Sequence, residues 1–279
     1  MKNNIKQLKK LLKKFYEEVG EKYPEETLVY NTLHGKLRKK FVFTYLQKFK
    51  GSLLDIGCNR GMYLDEYNGG DRFGIDLSLN VLKNIVETKT KHLIVADAEQ
   101  LQCFKENAFD NVLCSEVLEH CLNPLAVFQG IAHVLNSTGY ALLTTPNYKK
   151  FKPEWIELGS LNDYDISIDN KDGFYHTAYQ PEELVEFAKN VSLEIVEFGT
   201  LEKEVKYAAK IPAAIFLFEK FINRFFQSHK FDQINHKFFV KSTLLFYNVC
   251  HITGLEKILL RFVNEGVRSY VLMKKSQNN

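Results

Sequence analysis

Leu53-Leu54-Asp55-Ile56-Gly57-Cys58-Asn59-Arg60-Gly61 is the stretch on which the fold turns. A short apolar run, broken only by Asp55, meets two glycines, and a helical pattern from Met62 to Tyr67 follows. A buried strand that enters a tight turn and opens a helix is the first half of a β-α-β unit. Gly57 and Gly61 let the backbone approach a ligand where a side chain would collide. Asn59 is the side chain best suited to a left-handed turn position.

The alternation continues downstream. Apolar runs at Arg72–Ile75, His92–Ala96, Asn111–Cys114 and Gly139–Thr144 are separated by helical patterns near Val81–Thr88 and Pro124–Leu135. Beyond a polar connection at 151–190 come a helix (Glu182–Asn190, with Pro181 in its first turn), a strand (Leu193–Phe198) and a last strand (Val267–Met273). This predicts an α/β fold, a doubly wound parallel sheet with its ligand at the carboxyl ends of the strands. Asp76 follows Gly57 by 19 residues at the tip of the second strand. That spacing suits a carboxylate that accepts both hydroxyls of an adenosine ribose. Neither G-x-G-x-x-G nor a G-x-x-x-x-G-K-[ST] loop occurs, so the pattern points to a ribose without a pyrophosphate.

Composition narrows the class. The chain has 279 residues, 45% hydrophobic and 25% charged, ordinary globular values that argue against disorder and fibrous repeats. A net charge of +3 is too balanced to argue for nucleic acid and leaves DNA out of the expected partners. Five scattered cysteines without a C-x-x-C pair exclude a disulfide framework and a zinc ribbon and suit a reducing compartment. The N-terminal lysines lack the apolar run and cleavage site of a secretory signal, so a cytoplasmic location is expected.

Two flanking regions stand apart from the alternation. In residues 1–48, Ile5, Leu8, Leu12, Phe15 and Val19 line one helix face while Lys2, Lys6, Lys9, Lys10, Lys13 and Lys14 occupy others. Pro24 ends that pattern, and a second basic helix is expected from Asn31 to Gln47. In residues 201–264, Ile211, Ile215, Phe218, Ile222 and Phe225 or Phe226 form an apolar stripe among Lys210, Glu219, Lys220 and Arg224. Each region carries two readings. The first helix is a packing helix with a solvated lysine face, or it lies on anionic head groups as a peripheral membrane contact. The later segment is a lid or dimer interface, or a platform for a lipid-linked molecule. The expected domains are 1–48, a core at 49–200, the apolar helical insertion at 201–264, and the last strand and tail at 265–279.

Four motifs in order resemble the class I S-adenosylmethionine-dependent methyltransferases, the broad group that contains the ubiquinone-biosynthesis O-methyltransferases. The turn from Asp55 to Gly61 is similar to the family's D-x-G-x-G-x-G, with Asn59 in place of the middle glycine. Asp76 in Gly74-Ile75-Asp76-Leu77-Ser78 resembles the ribose-binding acid. Asp97-Ala98 resembles the pair that reads adenine, and the strand ending at Ser115 resembles the one facing the methionine moiety. The resemblance implies a seven-stranded sheet in the order 3-2-1-4-5-7-6 with the last strand antiparallel. It further implies S-adenosylmethionine as cofactor, held by Asp55, Gly57, Asn59, Gly61, Asp76, Leu77, Asp97, Ala98 and Ser115.

The methyl acceptor is less determined. In Ser115-Glu116-Val117-Leu118-Glu119-His120, a helical segment would put Glu116, Glu119 and His120 on one face at i, i+3 and i+4. Such a group can bind a divalent ion, as the matching residues do in the ubiquinone and small-RNA 2′-O-methyltransferases. Otherwise Glu119 and His120 serve as base or substrate contact, or cap a helix. His176, before the helix start at Gln180-Pro181-Glu182, resembles the histidine that relatives place over the acceptor pocket. It is read as a third catalytic residue, with helix capping as its other role. The expected activity is methyl transfer to a small or lipid-linked acceptor, oxygen preferred. RNA 2′-O-methylation and a non-catalytic cofactor-binding module are the alternatives.

Overall fold

The computed structural model describes residues 2–24, 28–85, 90–168, 173–226 and 228–276. These residues fall into two compact units: Met1–Tyr23 with Phe43–Gly199 and Ser269–Asn279, and Pro24–Val42 with Thr200–Arg268. In chain order the first half contains α1 (Lys2–Lys22), α2 (Leu33–Leu46), β1 (Leu53–Ile56), α3 (Met62–Glu66), β2 (Arg72–Asp76), α4 (Leu79–Leu82), β3 (Lys91–Val95), β4 (Phe109–Ser115), α5 (Pro124–Val134) and β5 (Leu135–Pro146). Then come β6 (Trp155–Glu157), β7 (Gly173–Tyr175), α6 (Pro181–Lys189), β8 (Leu193–Leu201), α7 (Lys203–Ala208), α8 (Lys210–Phe226), α9 (His229–Ile252), α10 (Leu255–Leu259) and β9 (Arg268–Lys275).

The first unit is built on a seven-stranded sheet in the order β3-β2-β1-β4-β5-β9-β8, the order expected from the motifs. β1 pairs in parallel with β2 and β4, β2 with β3, and β4 with β5. All four residues of β1 are buried, Asp55 included, which is why the sequence reads as a continuous run rather than an alternation. Leu54, Ile56, Val112 and Leu143 pack with Val127, Phe128, Ile131 and Val134 of α5 in one core. Truncating a side chain such as the fully buried Phe128 to alanine costs about 3–5 kcal/mol. In register, Ile56 lies opposite Ile75 and Cys114, so β2, β1 and β4 end nearly level with one another and bring their following loops to one edge.

Helix α1 packs as its periodicity predicts. Leu12 and Phe15 are buried with Ile166 and Phe174, while Lys6, Lys10, Lys13 and Lys14 stay exposed. The polar connection at 151–190 holds structure that sequence reading did not foresee: β6 and β7 form an antiparallel pair with Trp155 opposite Tyr175. Three-residue strands are too short to show a period. The helix expected at Val81–Thr88 begins earlier, at Leu79, because the Ser78 side chain caps it through the Val81 amide; residues 86–88 and the final 277–279 lie outside the described residues.

The second unit has its own small core of Leu33, Val205, Tyr207, Ala208 and Cys250. Within it α8 and α9 form a helical hairpin. Asn235 Nδ2 donates to the Phe216 carbonyl (3.2 Å), and the Phe216 and Phe239 rings lie 5.2 Å apart.

Candidate active site

Gly57, Asn59 and Gly61 all adopt positive φ (68°, 47° and 78°) in the turn that leaves β1. At Gly57 a Cβ would come within 2.3 Å of the Val117 side chain, so only glycine fits. The turn directs its amides at the tip of β2. Asn59 N donates to Asp76 Oδ2 (3.0 Å) and Ser78 N to Asp76 Oδ1 (2.9 Å). Burial nonetheless raises the Asp76 pKa, with a smaller push from Glu17, against the pull of these backbone donors. Asp55 is fully buried. Burial, and then the charge of Asp76, push its pKa well above the usual carboxylate range. Its Oδ2 has no hydrogen-bond partner among the described residues.

Asp97 follows β3 and caps the next turn by accepting from Glu99 N (2.9 Å), with Ala98 opening that turn and Leu77 half-buried beside Asp76. Ser115 ends β4 opposite Thr144 of β5, their hydroxyls 2.9 Å apart. Cys58 and Cys114 are buried and their thiols are pushed up by that burial, which suits packing rather than reaction.

The segment after Ser115 departs from the expected helix. Glu116 takes a left-handed φ of 59°, and only Leu118–His120 forms a single 3-10 turn. Glu116, Glu119 and His120 therefore do not share a helical face. Glu116 Oε1 instead accepts from Thr144 Oγ1 (3.2 Å), and Glu119 Oε2 accepts from Thr145 Oγ1 (3.1 Å). Among the described residues no group of three or more His, Cys, Asp and Glu is arranged to hold a metal ion. Two of the expected catalytic residues do meet the third: the His120 and His176 ring centroids lie 4.9 Å apart, edge to face, with His120 Nε2 4.0 Å from Glu119 Oε1. Burial, and then His176, lower the His120 pKa to about 3, so its imidazole is neutral at physiological pH. His176 is not the cap of α6; the Gln180 amide donates to Glu183 Oε2 there (2.8 Å).

Sequence reading missed what covers these strand ends. Helix α1 lies across them, with Lys9 Nζ 3.0 Å from Asp97 Oδ2 and 2.7 Å from Glu99 Oε2. Two turns on, Glu17 accepts from Ser78 Oγ (2.9 Å), Leu79 N (3.0 Å) and Asn80 N (3.1 Å), and Tyr16 sits 5.4 Å from the His120 ring. These partners are 61 to 104 residues apart in sequence, beyond any local pattern. Thr144 and Thr145 were also missed, although they stand at the end of an anticipated strand.

The sheet order and the positive-φ turn bring buried Asp55 and half-buried Asp76 to the ends of β1 and β2, the arrangement of a nucleoside-cofactor enzyme. A family profile described as a methyltransferase domain matches residues 54–143. The chain belongs to the class I S-adenosylmethionine-dependent methyltransferases. It is 28% identical over 149 residues to a ubiquinone biosynthesis O-methyltransferase of Hydrogenovibrio crunogenus, covering 49% of this chain and 61% of that protein. It is 30% identical over 162 residues to the uncharacterized protein MJ0638 of Methanocaldococcus jannaschii, covering 56% of this chain and 68% of the other. The chain thus spans about three fifths of the length of the O-methyltransferase. Among solved structures, the fold is similar to Haemonchus contortus phosphoethanolamine N-methyltransferase 2 in complex with phosphomonomethylethanolamine and S-adenosylhomocysteine, with a TM-score of 0.54 at 18% identity over 95% of this chain and 61% of that one.

The residues present fit the family's cofactor. S-adenosylmethionine brings ribose hydroxyls, an ammonium and a sulfonium. The Asp55 oxygen that lacks a partner and the Asp76 carboxylate disfavoured by burial are both relieved by donors and positive charge.

Proposed function

We propose that the protein transfers a methyl group from S-adenosylmethionine to an oxygen of a small or lipid-linked acceptor. Asp55, Gly57, Asn59, Gly61, Asp76 and Leu77 would hold the methionine and ribose parts, with Asp97 and Ala98 at the adenine and Ser115 toward the methionine. The bound cofactor supplies an electrophilic methyl carbon on sulfur. The observation that carries the reading is the pair of imidazoles, His120 and His176, beside the end of β4. An imidazole of this pair would accept the proton that the acceptor hydroxyl gives up on methylation, with His176 as the more basic candidate because burial holds His120 against protonation. Glu119, held by Thr145, orients His120 for that step. Oxygen as the acceptor atom is supported by the O-methyltransferase name of the relative.

The test offers the enzyme and isotopically labelled cofactor to three fractions of a cell extract: polar small molecules, lipids and RNA. Label is expected in the first or second. His120→Gln and His176→Gln should each lower kcat by about a hundredfold or more and leave S-adenosylhomocysteine affinity unchanged. Label in RNA would replace the acceptor class. Cofactor binding with no transfer to any fraction would make the protein a binding module.

A further inference from the structure

Of the 24 exposed large apolar side chains among the described residues, 15 lie between Ile211 and Phe262. In α8 five of the six fall on one stripe, Ile211, Ile215, Phe218, Phe221 and Phe225, at three- and four-residue steps, with Phe218 64% and Phe225 75% exposed and Leu217 off the stripe. The face that packs is a different one, marked by Phe216 against Phe239 and by buried Asn223, which bonds Ser228. Helix α9 repeats the arrangement. Phe231, Ile234, Phe238, Leu245, Val249 and Ile252 form its exposed stripe, while Asn235, Thr243 and Cys250 are buried. A monomer rarely leaves so much contiguous apolar surface in water without an occupant.

Charge says which occupant fits. Residues 210–262 carry eight Lys and Arg against three Asp and Glu. Lys220 and Arg224 are exposed on α8 beside its stripe. Lys241 is exposed within the α9 stripe itself, three residues after Phe238 and four before Leu245, with no ion pair among the described residues. In a water-excluding interface with a second protein this ammonium would be buried without a partner, and lysine is depleted from such interfaces for that reason. On a bilayer its four-carbon stem lies along the apolar face and its head reaches the phosphates. No helix among the described residues is long and apolar enough to cross a membrane, so the face suits lying on one.

We infer that the α8–α9 hairpin docks on an anionic bilayer surface, its phenylalanines inserted among the acyl chains near the head groups and Lys220, Arg224 and Lys241 on the phosphates. Flotation of the full chain with vesicles tests this, using pure phosphatidylcholine against a phosphatidylglycerol mixture, each at low and high salt. The protein should float with the anionic vesicles at low salt and be weakened by salt. Phe218→Glu/Phe225→Glu should lower the partition coefficient at least tenfold, and Lys241→Glu roughly fivefold or more. Circular dichroism and S-adenosylhomocysteine titration show that each variant remains folded. Lys241→Glu and the salt series decide the matter if the double variant unfolds. No flotation with anionic vesicles at either salt overturns the inference. So does a dimer in light scattering that the stripe variants convert to monomer, since a second copy would then be the occupant. Vesicle binding is read without turnover, so its failure leaves the methyl-transfer reading untouched.

Discussion

Burial acts on Asp55 and Asp76 against their charged forms, and each carries a different consequence. Asp76 already accepts two backbone amides, and a ribose would add hydroxyl donors to a carboxylate shielded from water. Asp76→Ala should weaken S-adenosylhomocysteine by about 1–3 kcal/mol, roughly tenfold to a hundredfold, in titration calorimetry. Unchanged affinity would remove Asp76 from the cofactor site. Asp55 has a raised folded pKa, so the fold binds its proton more tightly than the unfolded chain does. Stability is then greatest below the ordinary carboxylate pKa of about 4 and falls as pH rises above it. Asp55→Asn should therefore raise the neutral-pH melting temperature of the ligand-free protein while weakening the cofactor. A melting temperature that stays or drops would show that the carboxylate is not a stored cost. His120 runs the other way in pH. Its folded pKa of about 3 means that the fold resists its protonation, so stability is lost as pH falls below about 6.5. His120→Gln should flatten that acid limb in denaturant titrations between pH 6.5 and 4; an unaltered slope assigns the acid loss to other groups.

Helix α1 makes its most specific contacts at two clasps. Lys9 bridges Asp97 and Glu99, and these partners hold its pKa above the ordinary lysine value although burial opposes them. Glu17 caps the start of α4. Burial alone would raise its pKa, but the Leu79 and Asn80 amides and the Ser78 hydroxyl outweigh that and lower it. If the cofactor is held at Asp76 and Asp97 as proposed, these clasps lie beside it and would slow its release. Lys9→Met and Glu17→Gln should each speed S-adenosylhomocysteine release several-fold in stopped-flow displacement, with a smaller change in association. Release at the wild-type rate in both variants would mean that α1 does not restrain the ligand. The same elements show what a sequence discloses. The β1–α3 turn and the alternation of parallel strands with helices were legible because buried parallel strands leave unbroken apolar runs and Gly57 and Gly61 mark the turn after β1, whereas the strand order came from the resemblance to a known family. The kink at Glu116 was not, because a glutamate at φ 59° breaks the helical spacing without any residue that advertises it. The clasps of α1 were not legible either, since tertiary partners tens of residues apart have no period. Glu119, His120 and His176 were chosen on motif likeness; what their side chains meet, Thr145 above all, only the folded chain displays.

At the scale of the whole molecule the two units are unequally provided with core. The first has a layered sheet whose interior strand β1 is buried throughout. The second has a small core cluster of Leu33, Val205, Tyr207, Ala208 and Cys250 among the described residues, and two long helices that each leave an apolar stripe in solvent. Local stability follows buried apolar contact, so opening should cost least where that contact is thinnest. In hydrogen exchange of the ligand-free chain, amides of β1 and β4 should exchange only through global unfolding, while those of α8 and α9 should exchange orders of magnitude faster. Saturating S-adenosylhomocysteine adds RT ln(1 + [L]/Kd), about 2.7 kcal/mol at a hundredfold excess over Kd, to the protection of the sheet amides. Anionic vesicles, which touch none of those strands in the proposed docking, should instead slow exchange along residues 210–252. Equal protection of β1 and α9 before any addition would contradict the inequality of the two cores. Vesicles that slow β1 but not α8 would place the lipid contact elsewhere on the chain.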